Sequence, residues 1–248
     1  EHVRRAMIGT VLEDVPVVAS VSPLRAGGPA GASNFTDIPA GLFRMRNLSD
    51  LYPFANGLVT LAVTAADVTD WLERSASIFR RIQPGETDSI LHEPGMPAFS
   101  FAAIPGLDYA IDLSQPPRYD AAGRCIDPTA NRVLGLALKG RPLSPHEPLL
   151  LVTNSYRASR IRPDSASGPH VVLSDGVRIQ ALLSEFIRAH EVVGSPPRRN
   201  WHFLPMPGTT VRIATGANAE AHVEDVSAFR PELIHRDAEG FLHYRLHL

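Results

Sequence analysis

An apolar strand that runs directly into a capped amphipathic helix is the feature that most restricts the fold of this chain. Leu58–Thr64 (LVTLAVT) is rich in β-branched residues, which favour strands. Thr64 and Asp67 then have the spacing of a capping box, with Asp where Glu or Gln is usual. Side chains at three- and four-residue spacing follow on one helical face: Val68, Trp71, Leu72, Ser75, Ala76, Phe79 and Ile82. We expect this helix to end at Pro84-Gly85, with Trp71 and Phe79 in the core.

The rest of the chain is predicted to mix short strands with two further helices. One helix is expected at about residues 2–10 and one over Asp175–Glu191, with its apolar side chains at 179, 182, 183, 186 and 187 inward. Pro105-Gly106 predicts a tight hairpin between strands 99–104 and 107–113. Other strands are predicted over 15–21, 132–138, 149–153, 201–204, 211–214 and 241–246, and loops over 24–41 and 160–169. Because strands and helices do not alternate regularly, the predicted class is α+β.

Composition is that of an ordinary globular protein. The 248 residues are 44% hydrophobic and 20% charged, with a formal net charge of -2. This balance gives no electrostatic reason to expect a nucleic acid polymer or a membrane as partner. No apolar run approaches the roughly 18 residues that span a bilayer. A single cysteine, Cys125, excludes an internal disulfide and a cysteine-rich metal site.

Motifs for self-contained catalysis are missing from the sequence. Its ten histidines are scattered, without HExxH or zinc-ligand spacing, and we interpret them as surface or packing residues. No GxSxG, SxxK or Walker loop occurs. Arg25-Ala-Gly-Gly28 lacks the Walker lysine and is more typical of a flexible turn. We therefore predict no catalytic residue, metal ligand or cofactor in this chain, which leaves a binding surface.

Phe54 and Asn56 are candidate ligand contacts, and Tyr156 is a third. A ring two residues from a carboxamide suits a flat heterocycle, because the ring stacks and the amide offers a donor and an acceptor. Each residue also has a structural alternative. Phe54 could be a core residue after Pro53, Asn56 a turn residue before Gly57, and Tyr156 an aromatic covering the end of a strand. The residues alone leave these alternatives open.

Six segments, in order, resemble the carboxy-terminal domain of the 5′-nucleotidase family, in particular its bifunctional periplasmic 2′,3′-cyclic-nucleotide 2′-phosphodiesterase/3′-nucleotidase branch. They are Asn34–Gly41, Arg46–Phe54, Asp70–Ala76, Asp108–Asp120, Val152–Ala158 and Asn200–Phe203. The resemblance covers nearly the whole chain and implies one domain over residues 1–248. Two features depart from the family pattern. Ser159–Asp164 stands where the family has a glycine-rich turn, and Phe54 stands where relatives often carry Tyr.

The resemblance implies that this domain binds the nucleoside part of a nucleotide. In the family the base is sandwiched between two aromatic rings, which here would be Phe54 and Tyr156. Asn56 would bond the base edge, and Gly106 would let the base approach the backbone. Arg25 is a candidate contact for phosphate or ribose. Since stacking is nearly independent of base identity, broad specificity is expected.

The resemblance also implies a partner domain. In the family, an amino-terminal metallophosphoesterase domain with two divalent metal ions hydrolyses the nucleotide. Its Asp-x-His and Gly-Asn-His-Glu signatures are not in these 248 residues. We therefore expect an inactive piece of a longer periplasmic or secreted hydrolase of nucleotide catabolism. The alternatives are a stand-alone nucleoside-binding or structural module and, third, a hydrolase that uses the scattered histidines.

Overall fold

The computed structural model describes residues 1–160, 168–194 and 199–248. Its α-helices are α1 (His2–Met7), α2 (Met45–Leu51), α3 (Ala65–Ala76), α4 (Ser155–Ala158) and α5 (Ile179–Arg188). Its strands are β1 (Val17–Ala19), β2 (Leu58–Thr64), β3 (Ser89–Ile90), β4 (Leu107–Ile111), β5 (Val133–Leu138), β6 (Arg141–Pro142), β7 (Pro148–Asn154), β8 (His170–Leu173), β9 (Trp201–Phe203), β10 (Thr210–Thr215), β11 (Glu232–Arg236) and β12 (Leu242–His247). Short 3-10 helices span Gly28–Ala30, Ala98–Ser100 and Ala217–Phe229.

The strands form three four-stranded mixed sheets. Their orders are β1-β7-β2-β8, β11-β12-β10-β3 and β6-β5-β4-β9. One continuous core joins all three sheets with α3, through buried residues such as Leu61, Leu72, Ile111 and Leu242. A smaller cluster packs α1 against the first sheet, where Val3 and Met7 surround Leu150. The predicted α+β class is therefore confirmed.

The strand and helix that opened the sequence argument form as predicted. β2 covers residues 58–64, and α3 starts at the next residue. The Thr64 hydroxyl accepts from the Asp67 amide at 3.2 Å, and the Asp67 carboxylate accepts from the Thr64 amide at 2.7 Å. Aspartate thus completes the capping box, because its shorter side chain still reaches the Thr64 amide.

The predicted end of this helix was wrong. α3 stops at Ala76, and Phe79 forms an isolated bridge with His92 instead. Phe79 nevertheless packs against the main core, and Ile82 is fully buried. The apolar spacing therefore predicted which residues are buried beyond Ala76, although the helix ends there. Trp71 also packs against this core, as predicted.

The predicted hairpin at Pro105-Gly106 was also wrong. A turn forms there, since the Leu107 amide donates to the Ile104 carbonyl at 3.1 Å. Residues 98–100, however, form a 3-10 helix, and 101–104 carry only the bridge between Ala103 and Val21. β4 pairs with β5 and β9, which are distant in sequence. Sheet pairing, not the local turn, decides the neighbour of this strand.

The second long helix is shorter and less buried than predicted. α5 begins at Ile179, because residue 178 pairs with Gly57 and the Val177 amide is held by the Asp175 carboxylate at 3.1 Å. No α5 residue is fully buried, and Phe186 is 54% exposed, so its inward placement was wrong. Helix α2 and strands β8 and β11 were not predicted from the sequence. The predicted loop over residues 160–169 lies largely outside the described residues.

Removing the Thr64 hydroxyl is expected to lower the free energy of unfolding by about 1 kcal/mol, because Thr64→Ala leaves the first turn of α3 without its side-chain acceptor. Urea denaturation monitored by circular dichroism measures the change. Thr69→Ala is the matched control, since that hydroxyl bonds only the Ala65 carbonyl within the same helix and alanine favours the helix. Equal effects of the two substitutions would contradict a capping role.

None of the helices in the described part of the chain combines the length and apolarity that crossing a bilayer requires.

Candidate functional site

The pairing of β2 with β7 brings two distant segments to one end of the first sheet. Leu58, where β2 begins, lies opposite Asn154, where β7 ends. Just beyond this pair, the Ser155 amide donates to the Gly57 carbonyl at 2.9 Å, and the Ser155 hydroxyl accepts from the Gly57 amide at 3.2 Å. The segment with Phe54 and Asn56 and the helix with Tyr156 therefore leave the sheet at the same end.

Phe54 lies on an exposed segment whose backbone is fastened at both ends. The residue is 43% exposed, and its ring meets the Tyr52 ring edge-on, with centroids 6.3 Å apart. The Tyr52 carbonyl accepts from the Gln180 side chain at 2.8 Å, and the Asn56 carbonyl accepts from the Ile179 amide at 3.1 Å. α5 thus holds this segment from the side opposite β7, and Phe54 is not a core residue.

Tyr156 projects from α4, a helix of only four residues. Asn154 caps the helix, its side chain accepting from the Arg157 amide at 2.8 Å. Tyr156 is 44% exposed, and the Arg160 guanidinium lies 4.4 Å from the centroid of its ring. A flat ligand would therefore stack on the other face of this ring, or take the place of Arg160.

Arg157, to which the sequence argument gave no role, anchors α4. Its guanidinium donates to the Ser22 hydroxyl at 2.5 Å, to the Phe101 carbonyl at 3.3 Å and to the Phe99 carbonyl. Burial lowers the pKa of Arg157, while the phenols of Tyr156 and Tyr52 act in the opposite direction. The guanidinium therefore fastens α4 to Ser22 and to the backbone of residues 99 and 101.

A cavity of about 860 Å³ adjoins Tyr156. Its wall includes Trp71 and Arg74 of α3, Tyr119 and Arg160, but none of Phe54, Asn56, Gly106 and Arg25. Tyr119 donates to the Asp70 carboxylate at 2.6 Å, and Arg74 lies 4.0 Å from the Tyr119 ring centroid. Burial and the Asp70 carboxylate together raise the pKa of Tyr119 to about 12, so it remains a donor at neutral pH. The cavity is thus beside the predicted clamp, not between its two rings.

Arg25 contacts the segment next to Phe54. Its guanidinium lies 3.2 Å from the Asp50 carboxylate of α2 and donates to the Asn34 side chain at 3.1 Å. Since α2 leads directly into Tyr52, these contacts brace the Phe54 segment. A phosphate or ribose contact would require Arg25 to share its guanidinium with Asp50.

The backbone conformation at residue 106 favours glycine. Its φ is +97°, a conformation that other residues rarely adopt, and an added Cβ would meet no atom within 4 Å. The Asn200 side chain holds the turn by donating to the carbonyls of Ile104 and Leu107, at 3.0 and 2.7 Å. Among the described residues, no hydrogen bond or ring contact joins Gly106 to the aromatic segments.

Four histidines contact carboxylates in the described ranges, namely His2, His222, His243 and His247, and the ring of His243 also stacks on that of His235. His243 pairs with Asp237 at 2.9 Å, and His247 pairs with Glu232 at 2.8 Å. No group of three or more His, Cys, Asp or Glu residues there could hold a metal ion.

Tyr52 and Arg157 are the residues of this site that the sequence argument missed. Both lie inside the segments quoted for the family resemblance, within Arg46–Phe54 and Val152–Ala158. The available signal was position, because each is within two residues of a candidate stacking ring. Arg157 contacts residues 22, 99 and 101, which are distant in sequence and which no local pattern predicts.

The fold and the residue pattern place the chain in a family. The family model described as 5′-nucleotidase, C-terminal domain, matches residues 17–161, more than half of the chain. The chain belongs to this family, which confirms the resemblance found in the sequence.

Two relatives with established names are similar over most of the chain. The trifunctional nucleotide phosphoesterase protein YfkN of Bacillus subtilis is 31% identical over 88% of this chain and 15% of its own length. The 2′,3′-cyclic-nucleotide 2′-phosphodiesterase/3′-nucleotidase of Haemophilus influenzae is 29% identical over 94% of this chain and 37% of its own. This chain thus spans less than two fifths of either relative.

Two solved structures share the fold. A putative 5′-nucleotidase from Staphylococcus aureus superposes with a TM-score of 0.53 at 20% identity, over 75% of this chain and 33% of its own. A 5′-nucleotidase precursor from Thermus thermophilus superposes with a TM-score of 0.54 at 18% identity, over 77% of this chain and 32% of its own. At these identities the likeness supports the architecture alone.

Proposed function

We propose that residues 1–248 form the substrate-binding domain of a nucleotide phosphohydrolase, in which Phe54 and Tyr156 stack on the two faces of the base. The observation that carries this proposal is the pairing of Leu58 with Asn154 and the Gly57–Ser155 hydrogen bonds beyond it. Phe54 and Tyr156 are each more than 40% exposed at that end of the sheet. An exposed aromatic ring offers a stacking face to any base, at about 1–3 kcal/mol per stack.

The other contacts are proposed on weaker support. Asn56 is half-buried beside Phe54, where its carboxamide is within reach of a base edge. Arg25 is the proposed phosphate or ribose contact and Gly106 the proposed point of close backbone approach, although each also has the structural role described above. The isolated substitutions Arg25→Ala and Gly106→Ala therefore do not test the proposal cleanly.

The chemistry is proposed to belong to another part of a longer protein. In this proposal an amino-terminal metallophosphoesterase domain supplies two divalent metal ions, which activate water and hold the leaving oxygen. The names of the relatives, a nucleotide phosphoesterase and a phosphodiesterase/nucleotidase, support a hydrolase parent. A periplasmic or secreted location, with no nucleic acid polymer or membrane as partner, completes the proposal.

Titration calorimetry of the purified chain tests this function. We expect adenosine to bind with a dissociation constant of roughly millimolar order, since two stacks supply a few kcal/mol. Ribose 5-phosphate, which has no base, is the control ligand and should bind far more weakly. With 3′-AMP and Mn²⁺ or Zn²⁺ we expect no phosphate release. The proposal would be overturned if the folded chain does not bind adenosine, or if it releases phosphate from 3′-AMP in a metal-dependent manner.

A further inference from the structure

Helix α4 has little packing of its own to hold Tyr156 in place. It has four residues, none of them buried, and a helix of that length is unstable without contacts to the rest of the protein. Its start is fixed by the Asn154 cap and by the bonds between Ser155 and Gly57. These contacts come from residues that precede Tyr156, so the position of its ring also depends on what holds the residues that follow.

The guanidinium of Arg157 supplies the contact that follows Tyr156. A single nitrogen, Nη2, donates to the Ser22 hydroxyl and to the carbonyls of Phe99 and Phe101. Arg157 is half-buried, and its guanidinium remains charged at neutral pH. Hydrogen bonds from a charged donor are stronger than those from a neutral one. One side chain therefore ties α4 firmly to two other segments.

The two segments that receive Arg157 are joined to each other. Val21 and Ala103 exchange two backbone hydrogen bonds, each of 2.9 Å. Val21 is next to Ser22, and Ala103 is two residues from Phe101, so the acceptors of the guanidinium belong to one paired unit. A side chain that binds this unit through three oxygens cannot shift without breaking several bonds at once.

This paired unit is fastened to the same end of the sheet as α4. The Ser20 amide donates to the Val152 carbonyl, and the Ser20 hydroxyl donates to the Thr153 hydroxyl, both at 2.9 Å. β1 runs parallel to β7, so the residues after β1 leave the sheet where α4 also begins. Arg157 thus closes a loop of contacts that starts and ends on β7 and includes Tyr156.

We infer that Arg157 is a positioning residue for base stacking, which holds the Tyr156 ring ready by fastening α4 to the paired unit of residues 20–22 and 99–103. The inference rests on the proposed function, since it takes Tyr156 to be one of the two stacking rings. Without the guanidinium, the ring would have to be ordered each time a base binds. Ordering one flexible side chain weakens binding by roughly 2- to 12-fold, and we expect a loss of this size.

Adenosine binding to the whole chain, followed by the proton NMR signals of the base, tests the inference. Adenosine has no phosphate, which keeps the proposed phosphate contact of Arg25 out of the comparison. A stacked aromatic ring moves the base protons upfield, so the shift at saturation reports the position of the ring, and the titration reports affinity. Arg157→Met should weaken binding by about 2- to 12-fold and reduce the shift at saturation.

Ser22→Ala is the second variant, because it removes one acceptor of the same guanidinium and leaves α4 unaltered. We expect it to weaken binding by about two- to threefold. The double variant should bind adenosine as Arg157→Met does, because the bond to Ser22 is then already absent. Arg118→Met is the matched control, since Arg118 is also half-buried and donates to the Ala130 carbonyl at 2.9 Å. It should lower the urea midpoint and leave the affinity unchanged.

The outcomes separate this inference from the function on which it rests. A merely structural role of Arg157 would lower the urea midpoint but leave the affinity of the folded chain and the shift at saturation unchanged. That result, or additive losses in the double variant, overturns the inference alone. If Arg157→Met does not fold, wild-type affinity and shift in Ser22→Ala overturn it. Failure of the wild-type chain to bind adenosine overturns the proposed function, and the inference falls with it.

Discussion

Truncation of either stacking ring is expected to weaken adenosine binding by about 5- to 150-fold, the equivalent of one stack of about 1–3 kcal/mol. Tyr156→Ala removes one proposed wall and Phe54→Ala the other. Both side chains are more than 40% exposed, so their loss should leave the unfolding midpoint nearly unchanged. Titration calorimetry gives the affinities, and urea denaturation verifies that each variant is folded.

Conservative variants separate stacking from packing at these positions. Tyr156→Phe and Phe54→Tyr keep an aromatic face and should bind adenosine within about twofold of the wild type. Phe186→Ala is the matched control, because Phe186 is 54% exposed and its ring contacts that of His190, with centroids 4.1 Å apart. Unchanged affinity in either alanine variant would show that the base does not lie between the two rings.

Replacement of Arg132 by methionine is expected to lower the free energy of unfolding by about 3–5 kcal/mol. Arg132 is fully buried, and its guanidinium donates to three backbone carbonyls, those of Ala76, Phe79 and Gln115. Methionine fills similar volume but leaves these acceptors, and the buried carboxyl of Glu73, without the charge that compensates them. Urea denaturation at neutral pH measures the loss.

The pH dependence of this loss identifies its cause. Burial raises the pKa of Glu73 above its usual 4.5, against the opposing backbone amides of Val133 and Arg132. A carboxyl with a raised folded-state pKa stabilises the fold below its unfolded pKa, and this contribution is lost as the pH rises through the folded value. The Arg132→Met deficit should therefore be larger at neutral pH than in acid, where Glu73 is protonated.

A surface arginine provides the control for this second prediction. Arg81 is exposed and donates to a single backbone carbonyl, that of Ser114, at 2.7 Å. Arg81→Met should change the free energy of unfolding by no more than about 0.5 kcal/mol. An Arg132→Met variant as stable as Arg81→Met would contradict the anchoring role of the buried guanidinium.

Local signals predicted those elements whose chemistry is local. β2 and the start of α3 were predicted to the residue, because β-branched content and a capping box act over a few neighbouring positions. The end of α3 and the neighbour of β4 were missed because both depend on partners distant in the chain.

By itself, the sequence determined the family, the α+β class and which residues are candidates for stacking on a base. It could do so because the order of motifs, the spacing of apolar residues and the chemistry of each side chain can be read directly from the sequence. Only the tertiary structure decided that the Phe54 segment and Tyr156 share one end of a sheet and that Arg157 anchors α4. The physical reason is that these contacts are set by the β2–β7 register and by core packing, which join residues about a hundred positions apart.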